Sequence, residues 1–164
     1  MQVDHTARPL SIYVDAMKVL VATDGSRAGL AALRFASSLL AGRDDELVVL
    51  AVYGSAAKAG SGIGGLERFQ ARRVLDDAAR VLGRAGASPA RFELLLARAS
   101  DDVPEVICRQ ADRTRAGLIV VGSEGRDSLA EWVVGGTALR LIYLSRRPVT
   151  VVRPPRRRTS VRGR

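Results

Sequence analysis

The sequence predicts an α/β protein, an open five-stranded parallel sheet with helices on both faces in a single domain. Three observations carry the prediction. Short, apolar, β-branched runs recur along the chain, as in Leu118-Ile119-Val120-Val121. Such runs are apolar throughout, as strands covered on both faces are. Between them stand longer stretches with helical periodicity, and β alternating with α produces a parallel sheet with right-handed crossovers.

The elements follow in order. A strand is expected at 18–23 and a helix at 26–41, with Leu30, Leu33, Ala36 and Leu40 on one face. A strand at 46–53, a helix at 66–86 and a strand at 91–97 come next. The helix at 102–115 carries Val103, Val106, Ile107 and Ala111 on one face, and a strand follows at 117–122. A helix at 136–146 places Ala138, Leu141, Ile142 and Ser145 together, and a strand at 148–152 closes the series. This last run, Val149-Thr150-Val151-Val152, starts after Pro148 and reads as a sheet edge without inward charge. An unprotected edge pairs with another chain unless something covers it, so a homodimer through 148–152 is expected.

Composition narrows the functions. The chain has 164 residues, enough for one well-buried core, and its core is aliphatic, since Phe and Tyr number three each and Trp one. No run reaches the length of a membrane span, and no leader with a cleavage site is visible, so a cytoplasmic location is expected. His5 is the only histidine and Cys108 the only cysteine, which excludes a histidine dyad, a disulfide within the chain and a multi-cysteine metal site. Cys108, beside Ile107, reads as a small packed residue.

The formal net charge of +9 is largely a matter of one end: residues 153–164 contain six arginines and no acid. A basic tail at 154–164, disordered after Pro154-Pro155, would hold nucleic acid only non-specifically, through phosphates. No aromatic stands there to stack on bases. Residues 1–16 read as a flexible extension, with Met1 and Met17 both open as the start, and 17–153 as the folded domain.

The motif that carries function is Gly122-Ser123-Glu124-Gly125, then nine residues, then Gly135-Gly136-Thr137. It follows a strand and opens a helix. Glycines permit close backbone approach, and a helix N-terminus carries partial positive charge, so the arrangement suits a phosphate. Asp24, at the end of the first strand, Val52, in the second, and Gly122 all fall at carboxyl ends of strands, where ligands of open α/β sheets bind. Asp24-Gly25-Ser26 by itself also fits a plain turn with a helix cap. The glycine-rich stretch 54–65 reads as a flexible connection, with a lid over the crevice as its alternative.

Gly-x-x-Gly, nine residues, then Gly with a small neighbour resembles the ATP-binding motif of the universal stress protein family. Lys18 to Ser26, Glu46 to Tyr53, Ala116 to Ser123 and Arg147 to Arg153 are similar to that family's strands and its Asp-Gly-Ser turn. The resemblance runs from about Met17 to Pro154 and implies a Rossmann-like, adenine-nucleotide alpha hydrolase-like fold. It also implies a dimeric stress-response regulator that binds ATP or a related adenine nucleotide, with magnesium carried on the nucleotide. On that resemblance Ala22 and Thr23 line the pocket, and Asp24 reaches the ribose and the phosphate-bound metal. Val52 reads the adenine edge through its backbone, and Val121, Gly122, Gly125, Gly135, Gly136 and Thr137 surround the phosphates. One position departs. Gly136 stands where ATP-binding members carry Ser or Thr, and the hydroxyl comes one residue later, on Thr137. That shift turns a helical side chain by ~100°. Glu124 also places a carboxylate in the loop, with Arg126 near enough in sequence to offset it.

No catalytic residue is expected, and at most weak ATP hydrolysis, because the chain offers no evident base to position water and no phosphate-facing lysine of the P-loop kind. A nucleotide ligase on this fold would need signature histidines, which are absent. The alternative is an interaction module whose phosphate site is degenerate at Gly136. Gly122→Val or Gly125→Val is expected to abolish ATP binding with the fold intact, and Gly136→Ser to favour ATP over AMP.

Overall fold

The computed structural model describes residues 16–42, 44–54, 67–84, 91–99, 102–124 and 134–155, the stretch 91–99 by its backbone. Strands β1 (Lys18–Ala22), β2 (Glu46–Gly54), β3 (Arg91–Ala99), β4 (Leu118–Gly122) and β5 (Val149–Val152) alternate with helices α1 (Arg27–Leu39), α2 (Arg68–Arg84), α3 (Val103–Thr114) and α4 (Gly136–Leu144). The strands form one sheet in the order β3-β2-β1-β4-β5, every pair parallel. β5 therefore lies at an edge. The order reverses between β1 and β4, where the chain that wound outward through β2 and β3 returns to the other side of β1.

Strand alternation divides the apolar residues between two cores. Val19, Val21, Leu47, Val49 and Val120 point to one face and pack with Leu33, Ala36 and Leu40 of α1 and Val74, Leu75 and Leu82 of α2. Leu20, Val48, Leu50, Ile119 and Val121 point to the other and meet Val106, Ile107 and Ala111 of α3 and Ala138 and Leu141 of α4. Fully burying one such Val, Leu or Ile side chain stabilises the fold by roughly 1.5–3 kcal/mol. Both helix layers thus come from the same sequence rule, period two in the strands and 3.6 in the helices.

Two expected faces need adjustment. Leu30 is only partly buried, and α1 buries Ala28, Gly29 and Ala32 as well. In α4, Ile142 does not share the buried face: Ala138 and Leu141 are inside, whereas Ile142 is 52% exposed. α4 lies over the margin of the sheet, so only a narrow stripe of it finds a partner. At the opposite end of the strands the start of the sheet is fastened by an ion pair between Lys18 and Glu46 at 2.8 Å, and by the Met17 N–H donating to the buried Asp45 carboxylate at 2.6 Å.

Candidate functional site

The carboxyl ends of β1, β2 and β4 bring the predicted residues to one level. Ala22 is in register with Leu50 on one side and with Val121 on the other. Carried two residues further, that register sets Asp24 level with Val52 and with Ser123. The ladder continues past β1, since the Thr23 N–H donates to Leu50 O at 2.9 Å. Neighbouring strands stand about 4.8 Å apart, so Val52 and Ser123 span about 10 Å across the switch point.

The turn after β1 is built by its own side chains. Thr23 Oγ1 accepts from the Gly25 N–H at 3.2 Å, and Asp24 Oδ1 accepts from the Ser26 N–H at 2.9 Å. Gly25 has φ +77°, which a side chain disfavours, and a Cβ there would meet Val74 Cγ2 at 2.9 Å. Ser26 then caps α1, its hydroxyl accepting from the Gly29 N–H at 3.0 Å. That hydroxyl also donates to the Glu124 carbonyl at 3.3 Å, tying the turn to the loop after β4. The turn-and-cap role of Asp24-Gly25-Ser26 is thus what the structure displays.

Gly122 is required by packing. A Cβ on it would lie 2.5 Å from the Ala28 carbonyl carbon and 2.7 Å from the Gly29 N. Both are backbone atoms of α1, which cannot rotate aside. The expectation that Gly122→Val leaves the fold intact is therefore corrected: the first turn of α1 occupies that space. Gly29 completes the fit, for a Cβ there would meet Thr23 Oγ1 at 2.6 Å. Sequence reasoning passed over Ala28 and Gly29, although two small residues opening a helix were a visible signal of close approach.

Beyond Gly122 the chain turns toward α4. The Ser123 N–H donates to Val152 O at 2.8 Å, and Ser123 O accepts from the Gly135 N–H at 2.6 Å. These bonds seat the start of α4 beside the end of β4. Gly135 is the N-cap and provides no side-chain bond to the helix. Gly136 is exposed, and Thr137 half-buried, in the first turn. Ala22, Thr23, Asp24, Val52, Val121, Gly122, Gly135, Gly136 and Thr137 are thus distributed around one crevice mouth. Gly125, Arg126 and residues 55–65 lie outside the described residues.

Other features sit apart from this crevice. An open cavity of about 520 Å³ is lined by Glu67, Arg68, Phe69 and Arg72 at the start of α2, none of them a predicted site residue. Burial pushes the Cys108 thiol above its ordinary pKa, and Asp112 and Glu105 add to the effect. That is the behaviour of a packed cysteine, not an activated one. Among the described residues no three His, Cys, Asp or Glu side chains are grouped to hold a metal ion, and no helix is long and apolar enough to cross a membrane.

A three-layered α/β fold with a glycine-lined helix start at its switch point defines a class of nucleotide-binding-type folds. Within it, the chain belongs to the universal stress protein family, whose model matches residues 16–153. Among solved structures, it is similar to a universal stress protein family member from Burkholderia pseudomallei, with 29% identity and a TM-score of 0.61 over 84% of this chain and 96% of that one. The universal stress protein from Archaeoglobus fulgidus in complex with dAMP shares 24% identity, with a TM-score of 0.61 over 83% of this chain and 97% of that one. An Arabidopsis thaliana family protein with AMP bound shares 18%, with a TM-score of 0.58 over 89% and 97%. The last two likenesses are likenesses of fold. No curated protein matches the chain.

Proposed function

We propose that this chain is a regulatory protein of the stress-response type that binds an adenine nucleotide, ATP or a close relative, at the β1–β4 switch point. The observation that carries the reading is the uncapped start of α4 set against the end of β4, level with Asp24 and Val52. Backbone N–H groups of a helix start attract phosphate without any lysine. The roughly 10 Å from Val52 to Ser123 suits a nucleoside laid across β1, base toward β2 and phosphate toward α4. Val52 offers its backbone to the base edge. Asp24, with one oxygen bound to the turn, offers its carboxylate to the ribose and to the shell of a nucleotide-borne magnesium. Magnesium keeps most of its ligands on phosphate and water, so one carboxylate is sufficient. Ala22, Thr23 and Val121 form the floor, and Gly125 belongs to the same phosphate loop.

In this reading residues 17–153 form one binding domain between an N-terminal extension and a basic tail. The protein acts in the cytoplasm as a homodimer paired through β5, with binding as its activity and hydrolysis at most weak. Titration calorimetry of the full chain with ATP and AMP, with and without magnesium, tests it. Saturable binding near one nucleotide per chain is expected. Absence of heat with every adenine nucleotide would favour the second reading, an interaction module in which Gly136 has left the phosphate site degenerate.

A further inference from the structure

We infer that Ser123 is a phosphate-binding and specificity-determining residue, its hydroxyl donating to the phosphoryl group at the α4 N-terminus and favouring phosphorylated adenine ligands over the bare nucleoside. The inference rests on the nucleotide reading above.

Ser123 is 2% exposed, and its hydroxyl has no hydrogen-bond partner. Buried hydroxyls nearly always have one, because losing water without a replacement is costly. The main chain of Ser123 is fully engaged, N–H to Val152 O and O to the Gly135 N–H. The residue is therefore held from both sides while its side chain is left unsatisfied.

Strand alternation fixes where that side chain points. Val121, two residues earlier, packs with Ala138 and Leu141 of α4 in one core. Side chains two apart on a strand share a face, so the Ser123 hydroxyl emerges on the α4 side. There, α4 begins at Gly135 with no side chain capping its N–H groups. A hydroxyl and a helix start both have protons to donate, and a carbonyl would satisfy one of them alone. A phosphate accepts from both, with several oxygens at one centre. The hydroxyl that Gly136 lacks on the helix side is thus supplied from the sheet side.

The test compares full-length wild-type protein with Ser123→Ala and Ser123→Cys, the second keeping the volume while weakening the donor. Affinities for AMP and adenosine are measured by calorimetry, and ligand-free stability by urea denaturation. Both variants are expected to lose AMP affinity by roughly tenfold or more and to keep that for adenosine. The alanine variant should be at least as stable as wild type without ligand, since an unpaired buried hydroxyl has gone. AMP binding unchanged in both variants overturns the inference and leaves the nucleotide reading standing. Equal losses for AMP and adenosine, with lower ligand-free stability, assign the hydroxyl to the fold and also overturn it. A wild-type protein that binds no adenine nucleotide overturns both.

Discussion

At the level of single residues, the crevice is shaped by what is missing from Cα more than by what is present. Gly25, Gly29 and Gly122 come from a turn, a helix and a strand, and each makes room for the start of α1 against the ends of β1 and β4. Gly122→Ala should therefore destabilise the protein by about 1–3 kcal/mol, because the new Cβ meets main chain that has no rotamer to change. Gly83→Ala should do the opposite. Gly83 is an exposed position in α2, where a Cβ would meet nothing within 4 Å, and alanine in a helix is better than glycine by about 0.5–1 kcal/mol. Urea denaturation of the two variants checks both signs, and a stable Gly122→Ala protein would mean that α1 can move away from β4. The importance of Gly122 was legible in the sequence, but its reason was not. The atoms it avoids belong to Ala28 and Gly29, far away along the chain, and spacing rules register only local neighbours. Ser123 escaped for a similar cause: a serine between glycines reads as loop, and its burial depends on how α4 packs back.

Among elements, β5 and α4 form the least satisfied part of the molecule. β5 is the edge of the sheet, and all four of its residues are half-buried. Beside it, α4 leaves Leu139, Ile142 and Tyr143 exposed, Tyr143 by 80%. Periodicity correctly gave α4 an apolar stripe, yet it could not give the stripe a width. That width depends on how much sheet lies beneath, and at the margin there is little. The hydrogen bonds from Ile119 N–H to Pro148 O and from Ser123 N–H to Val152 O show which groups of β5 face β4. By alternation Thr150 also faces inward, while Val149 and Val151 direct their backbone groups outward. Val151→Pro removes an outward donor and none from the β4 ladder, a place where an edge strand tolerates proline. It should convert the proposed dimer to a folded monomer, seen by light scattering during size-exclusion chromatography. Thr150→Pro, which removes an inward donor, should lower stability instead. A Val151→Pro protein that remains dimeric would move the interface off β5.

For the molecule as a whole, the open matter is how the basic end relates to the folded part. The order of strands, the two cores and the placing of the switch point were all legible, because they follow from periodicity and the crossover rule. The boundary of the tail was less so. Arg153 to Pro155 lie within the described residues, and the Arg27 guanidinium donates to the Pro155 carbonyl. This hydrogen bond fastens the chain after β5 to the first residue of α1, next to the crevice. A cut before residue 153 would therefore disturb the fold's margin as well as its charge. The informative truncation ends at Pro155 and removes Arg156, Arg157, Arg158, Arg162 and Arg164. It should leave nucleotide affinity and dimerisation unchanged, since none of the residues assigned to either lies beyond Pro155. Retention on single-stranded RNA or on duplex DNA at low salt should fall sharply. The slope of log affinity against log salt should flatten by roughly 0.7 to 0.9 for each phosphate that an arginine no longer neutralises. A truncated protein that retains the full salt slope would place the basic groups responsible on the folded domain. One with weaker nucleotide binding would show that the arginines act on the crevice, which Arg27 and Pro155 bring within their reach.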